Sequence, residues 1–152
     1  MSQEFKDCLK RKKIQEFSRG KALVDKELKT ADQDLNSAKD SLKANNYKWA
    51  TVQAYYAMFH SARALLYVEN FREKSHFCLI TAIRALYVDK KLLPNSLIEN
   101  LQKAKILREN ADYYDDWAES SAKSLLKAAE QLIEISNKLI SQKNNSGRRR
   151  GS

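Results

Sequence analysis

Glycine and proline are scarce, with three and one in 152 residues, where about 12% together is usual. That scarcity argues against a β-sandwich, against glycine-rich phosphate loops and against a disordered low-complexity chain. No run of about 18 apolar residues occurs, so no membrane span is expected. The opening MSQEFKDCLK is polar and has no apolar signal core. Cys8 and Cys78 are the only cysteines. With only these two, no disulfide framework is expected, and a reducing cytoplasm is the simpler reading. His60 and His76 are the only histidines, and with the cysteines they do not fall at zinc-ligand spacing. Glu73-Lys74-Ser75-His76 reads Glu-x-x-His once, whereas a di-iron bundle needs it twice with two more carboxylates. No metal and no cofactor is expected. Hydrolase, P-loop and dinucleotide fingerprints are missing as well.

What is present is charge, unevenly placed. The net charge is +9. Residues 1–21 hold seven basic and three acidic groups, and residues 138–152 hold five basic groups and no acid. The remainder, 22–137, has 16 of each and is neutral. The body is therefore not a basic domain. The chain divides into a basic N-terminal helix or arm over 1–21, a helical body over 22–142, and a basic tail over 143–152 too polar to pack.

Apolar periodicity defines the body. Phe5, Leu9, Ile14 and Phe17 would line a short basic helix over 3–19, ending at Gly20. Val24, Leu28, Ala31, Leu35, Ala38 and Leu42 step 4, 3, 4, 3, 4, one stripe on a helix of about six turns. Asn45-Asn46 breaks it as a turn. From Tyr47 to Val68 the chain is apolar nearly all round, which marks a central helix. A polar loop over Glu69–Lys74 precedes Ser75, a candidate N-cap for a third helix running to about Lys91 with Phe77, Ile80, Ile83, Ala85 and Leu86 inward. Pro94 fits the first turn of a fourth. Asp112–Asp116 interrupts it, and Ala118, Ala122, Leu125, Ala129, Leu132, Ser136 and Ile140 mark a fifth. No strand signal is visible. The predicted fold is all-α, an antiparallel bundle of about five helices around a four-helix up-and-down core.

Three polar groupings stand out. His60 and Arg63 lie one turn apart on the central helix. Such groups are costly to bury unpaired, so they either reach an edge or a carboxylate, or form a phosphate-binding or dimer-interface pair. Arg72 and Lys74 precede Ser75-His76 at a helix start, which suits a phosphate or is a solvated, capped loop. Arg108 to Asp116 is the densest polar stretch of the body. Arg108 there could be an ordinary helical ion pair with Asp112.

Trp49, the run Ala54-Tyr55-Tyr56-Ala57-Met58-Phe59-His60-Ser61-Ala62-Arg63-Ala64-Leu65-Leu66 and the later Lys74-Ser75-His76 resemble the signature of the HEPN domains over roughly 22–140. The resemblance implies a homodimer, a nucleotide or RNA ligand, and a nucleotidyltransferase partner in a toxin–antitoxin system. Many HEPN proteins are metal-independent ribonucleases with an Arg followed four to six residues later by a His. Arg108 matches the Arg, but Tyr113, Tyr114 and Asp115 occupy the His positions, and no His follows His76. Tyrosine, with a pKa near 10, cannot easily replace imidazole. An enzymatic role is therefore disfavoured, and the resemblance implies a cytoplasmic binding or accessory module. Its site would comprise Arg108, Asp112 and Tyr113, then Arg63, His60, Lys74 and His76; Tyr113 or Tyr114 would be where a partner enzyme modifies the chain. One alternative is a ribonuclease in which His60 or His76 meets Arg108 in space, or in which Arg72 and His76 substitute. Another is a pure scaffold whose Tyr55, Tyr56 and Phe59 form a dimer seam.

Overall fold

A computed structural model describes residues 2–110 and 117–150, with no side-chain detail at 110 and 146–150. Helix α1 spans Gln3–Lys10, capped by the Ser2 hydroxyl, which accepts from the Phe5 N–H. Strand β1 is Ile14–Glu16, α2 is Gly20–Lys43 and α3 is Tyr47–Tyr67. Strand β2 is Phe71–Glu73, α4 is His76–Ile83 continuing into a π-turn over Arg84–Val88, α5 is Asn95–Asn110 and α6 is Glu119–Arg150. The all-α expectation holds. The only sheet among the described residues is the short antiparallel β1–β2 pair.

Helices α2 and α3 form a hairpin closed by Asn45 at φ 59° and capped by Asn46. Asparagine tolerates the left-handed region better than most residues, so the turn sits where the sequence places it. The predicted stripe of α2 is buried at Val24, Ala31, Leu35 and Ala38. Helix α3 is buried on several sides, including Ala54, Tyr55, Met58, Ala62 and Leu65, and packs against α2, α4, α5 and α6. Alanine recurs along it, which lets neighbouring backbones approach closely. Helix α6 covers it with Ala122, Leu125, Ala129, Leu132, Ser136 and Ile140.

Several expectations are corrected. The N-terminal helix stops at Lys10, and Lys12 takes φ 58° to turn the chain into β1. This segment is no loose arm, because Phe5, Cys8 and Ile14 are core residues. Gly20 opens α2 instead of ending α1. The loop expected at 69–74 contains β2, in register Ile14↔Glu73, Gln15↔Arg72 and Glu16↔Phe71. Cys8 and Cys78 are disulfide-bonded, Cα atoms 5.8 Å apart. The cysteine count therefore gives no reason to assign a reducing compartment. Phe77, expected inward, is 60% exposed, because α4 buries the run from Cys78 to Ile83 instead. Helix α6 carries on to Arg150 where a basic tail too polar to pack is expected from 143. Lys143 pairs there with Glu69, and its ammonium lies 5.4 Å over the Tyr87 ring. Among the described residues, no helix is long and apolar enough to cross a membrane.

Candidate functional site

Phe59 on α3 touches two polar clusters. In the first, His76, at the first position of α4, stacks on Tyr55 with ring centroids 6.1 Å apart and on Phe59 at 6.4 Å. The Ser75 hydroxyl caps α4 by accepting from the Cys78 N–H at 3.1 Å, and this fixes where His76 emerges. From α5, the Arg108 guanidinium lies 5.4 Å over the Tyr55 ring and 5.1 Å over the Tyr56 ring. Arg108 and His76 therefore meet at one residue, Tyr55, although 32 positions separate them in the chain. The His76 Nδ1 and the Tyr55 hydroxyl are 3.5 Å apart. The His76 Nε2 is buried without a hydrogen-bond partner among the described residues. A groove of about 190 Å³ opens beside it, lined by His76, Phe77, Gln102, Lys105, Ile106 and Glu109.

Burial pushes the His76 pKa down to about 4, Lys105 lowers it further, and Glu109 opposes both. Burial likewise raises the Tyr55 hydroxyl, with Arg108 opposing. His76 is thus a neutral imidazole near pH 7. Protonating it favours unfolding: there is no penalty above the unfolded pKa near 6.5, and the penalty grows as pH falls from 6.5 to 4. Because the ring is only partly buried, screening reduces the effect to roughly 1–2 kcal/mol. Urea midpoints at pH 7 and pH 4.5 should therefore differ more for the wild type than for His76→Gln. Equal differences would show that His76 does not titrate this way.

In the second cluster, His60 Nδ1 is 2.6 Å from a Glu27 carboxylate oxygen and Nε2 is 3.8 Å from Asp34. Burial raises the Asp34 pKa and His60 pulls it back. Arg63 donates twice to Glu73, both at 3.3 Å, lies 3.8 Å from Glu27, and stacks 4.4 Å over Phe59. Both basic groups of this cluster therefore find carboxylates, and a phosphate would have to displace those partners. Glu73 is the least exposed of these side chains, at 8%. Arg63→Ala would leave it buried and unpaired, an expected loss of about 2 kcal/mol, less than for a fully buried pair.

Of the residues singled out in the sequence, the fold gathers Arg108, Tyr55, Tyr56, Phe59 and His76. His60 and Arg63 belong to a second cluster, with Glu27, Asp34 and Glu73, that also touches Phe59. Lys74 is exposed at the end of β2. Arg72 is tied to Gln15 at 3.1 Å and does not form a pair with His76. Asp112, Tyr113 and Tyr114 lie outside the described residues. Sequence reasoning missed Gln102, Lys105 and Glu109. Their spacing of three and four puts them on one face of α5, a signal present but not distinctive among so many charges.

A family model described as "HEPN domain" matches residues 24–139. A protein of Methanocaldococcus jannaschii named "Putative toxin MJ0605" is 30% identical over 131 residues, covering 80% of this chain and 98% of that protein. A second from the same organism, "Putative toxin MJ0142", is 27% identical over 103 residues, covering 68% and 69%. The family match takes in α3, His76 and Arg108 and leaves out α1 and β1.

Proposed function

The chain belongs to the HEPN domain family, and from that premise we propose that it is an RNA-associated, toxin-like module that holds a nucleotide or an RNA phosphate at Arg108. One observation carries this reading: the Arg108 guanidinium lies across Tyr55 and Tyr56, and Tyr55 also stacks on His76, whose Nε2 has no hydrogen-bond partner among the described residues. The guanidinium supplies a forked set of donors for a phosphate. Exposed Phe77 offers a face on which a base can stack. Asp112 and Tyr113, four and five residues after Arg108 in the sequence, belong to the same proposed site. A homodimer, a nucleotidyltransferase partner and a cytoplasmic setting belong to the same proposal, with Tyr113 or Tyr114 as the residue a partner would modify.

A second reading, a metal-independent ribonuclease, draws on the meeting of His76 and Arg108 at Tyr55. Magnitude decides between the two. A general base works best with a pKa near the working pH, and His76, at about 4, is a weak base and is not in the imidazolium form that a general acid needs near pH 7. Binding is therefore favoured over cleavage.

The test is anisotropy of a labelled single-stranded RNA, with gel analysis of the same RNA in EDTA. Arg108→Ala should weaken binding by roughly 10- to 100-fold, the worth of a charge-assisted hydrogen bond. Unchanged affinity would remove Arg108 from the site. Cleavage by the wild type that is lost in both Arg108→Ala and His76→Ala would establish the ribonuclease reading instead.

A further inference from the structure

The excess charge of the chain resides in its two ends, and the fold brings those ends together. The Phe17 N–H donates to the Asn70 carbonyl at 2.7 Å, β1 pairs with β2, and Cys8 is bonded to Cys78. One residue before Asn70, Glu69 receives the Lys143 ammonium from α6. The turn at 69–70 therefore touches both the N-terminal segment and the C-terminal helix. Lys13, whose carbonyl accepts the Lys74 N–H at 2.8 Å, and Lys143 therefore stand on the two segments that meet at this turn, each within a basic end of the sequence.

The acids of this pole, where the two ends meet, do not cancel their charge. Glu69 is taken by Lys143 and Glu73 by Arg63. Asp7 and Glu16 remain exposed, together with Glu4. Against them Lys10, Arg11, Lys12 and Lys13 follow in one run, with Arg72 and Lys74 on the paired strand, all exposed or partly so and in no ion pair among the described residues. On α6, Lys138 pairs with Glu134, and the sequence adds Arg148, Arg149 and Arg150 on the last turns of the helix.

We propose that this pole is a binding surface for the phosphate backbone of single-stranded RNA, formed jointly by both chain ends and the β1–β2 sheet. The features favour RNA over an anionic membrane. The apolar side of α1 is spent inside the protein at Phe5 and Cys8, so nothing on it can insert into lipid. A loose spread of lysine and arginine suits a flexible polyphosphate better than a shaped protein partner. Arg72 stacks 5.4 Å over Phe17, adding a planar cation on an aromatic ring, a pairing found where bases stack. The surface also leads into the candidate site, since Lys74 is followed directly by the cap Ser75 and by His76. The proposal rests on the reading above only for the identity of the polyanion.

The experiment measures anisotropy of a labelled oligouridine on the full chain across a range of sodium chloride concentrations. Two variants probe the pole: Lys10→Glu/Arg11→Glu/Lys13→Glu, and a chain ending at Asn145, which keeps the Lys143 ion pair. Each should bind about tenfold more weakly at physiological salt, with the slope of log affinity against log salt reduced by about 2, at roughly 0.7 for each phosphate no longer neutralised. Arg108→Ala should keep the wild-type slope to within about 0.7, the share of a single phosphate. Wild-type affinity and slope in both pole variants would overturn the proposal. So would binding to phosphatidylserine vesicles, or competition by polyglutamate, as tight as binding to RNA of equal charge. If only Arg108→Ala leaves binding untouched while the pole variants weaken it, the site reading falls and the pole stands.

Discussion

Reduction of the Cys8–Cys78 bond is expected to lower stability by about 4 kcal/mol. That magnitude follows from a sequence separation of 70 residues, whose closure restricts the unfolded chain far more than the folded one. Guanidinium unfolding of oxidised and reduced wild type measures it directly, and the reduced midpoint should fall with a steeper slope, because the unlinked denatured chain exposes more surface. Coincident curves would show that the bond adds nothing, or that the reduced unfolded state is equally restricted. Both sulfur positions are core positions, so a Cys8→Ala/Cys78→Ala variant adds a small packing loss and should be slightly worse than simple reduction. The consequence reaches the site. Cys78 is two residues from His76, and its N–H is held by the Ser75 cap. The bond thus fastens α1 to the first turn that presents the imidazole. Reduction should expose the 1–13 segment to proteolysis before the bundle opens.

Gly20→Ala is expected to lower stability by about 3 kcal/mol and the melting temperature by roughly 10 °C. A Cβ built at Gly20 would lie 3.1 Å from the Tyr67 carbonyl carbon and closer still to its oxygen. Both partners are backbone, one at the start of α2 and the other at the end of α3, and neither can swing aside as a side chain would. That oxygen also accepts the Asn70 N–H at 2.9 Å, so displacing it disturbs the turn into β2. Asn70 itself stands at φ 62°. Thermal melts of Gly20→Ala and Gly20→Ser should both show the loss. A drop of less than about 3 °C in either would mean that the two helices slide apart at no real expense.

The sequence is legible where one element carries its whole signal. The steps of three and four in α2 and α6, the apolar breadth of α3, the Asn45-Asn46 turn and the Ser75 cap all stand in the structure where the residue pattern puts them. Strands of three residues cannot show a period of two, so β1 and β2 leave no trace. Ile14–Glu16 and Phe71–Glu73 find each other only because the packing of the flanking helices brings the two segments side by side. The cysteine bond is invisible for a similar reason, since a pair so far apart carries no spacing information. Arg63 and His60 need carboxylates on any reading, but Glu27, Asp34 and Glu73 come from α2 and β2 and could not be chosen in advance. The meeting of His76 and Arg108 at Tyr55 belongs to three helices at once. It depends on packing angles, which no single stripe encodes.

The π-turn over Arg84–Val88 bears on how relatives of this chain should be aligned. Its wide ring is closed by the Asp89 N–H on the Arg84 carbonyl at 2.8 Å, and the Leu92 N–H reaches the Tyr87 carbonyl across the same five-residue span. Such a turn equals an α-helix with one residue inserted. The extra residue delivers the fully buried Tyr87 hydroxyl to the Leu65 carbonyl at 2.5 Å. A relative lacking that residue would turn everything beyond it by about 100° around the helix axis. Its counterpart of Tyr87 would then face away from α3. A one-position gap within 84–88 is therefore a change of register, and it marks which relatives share this core.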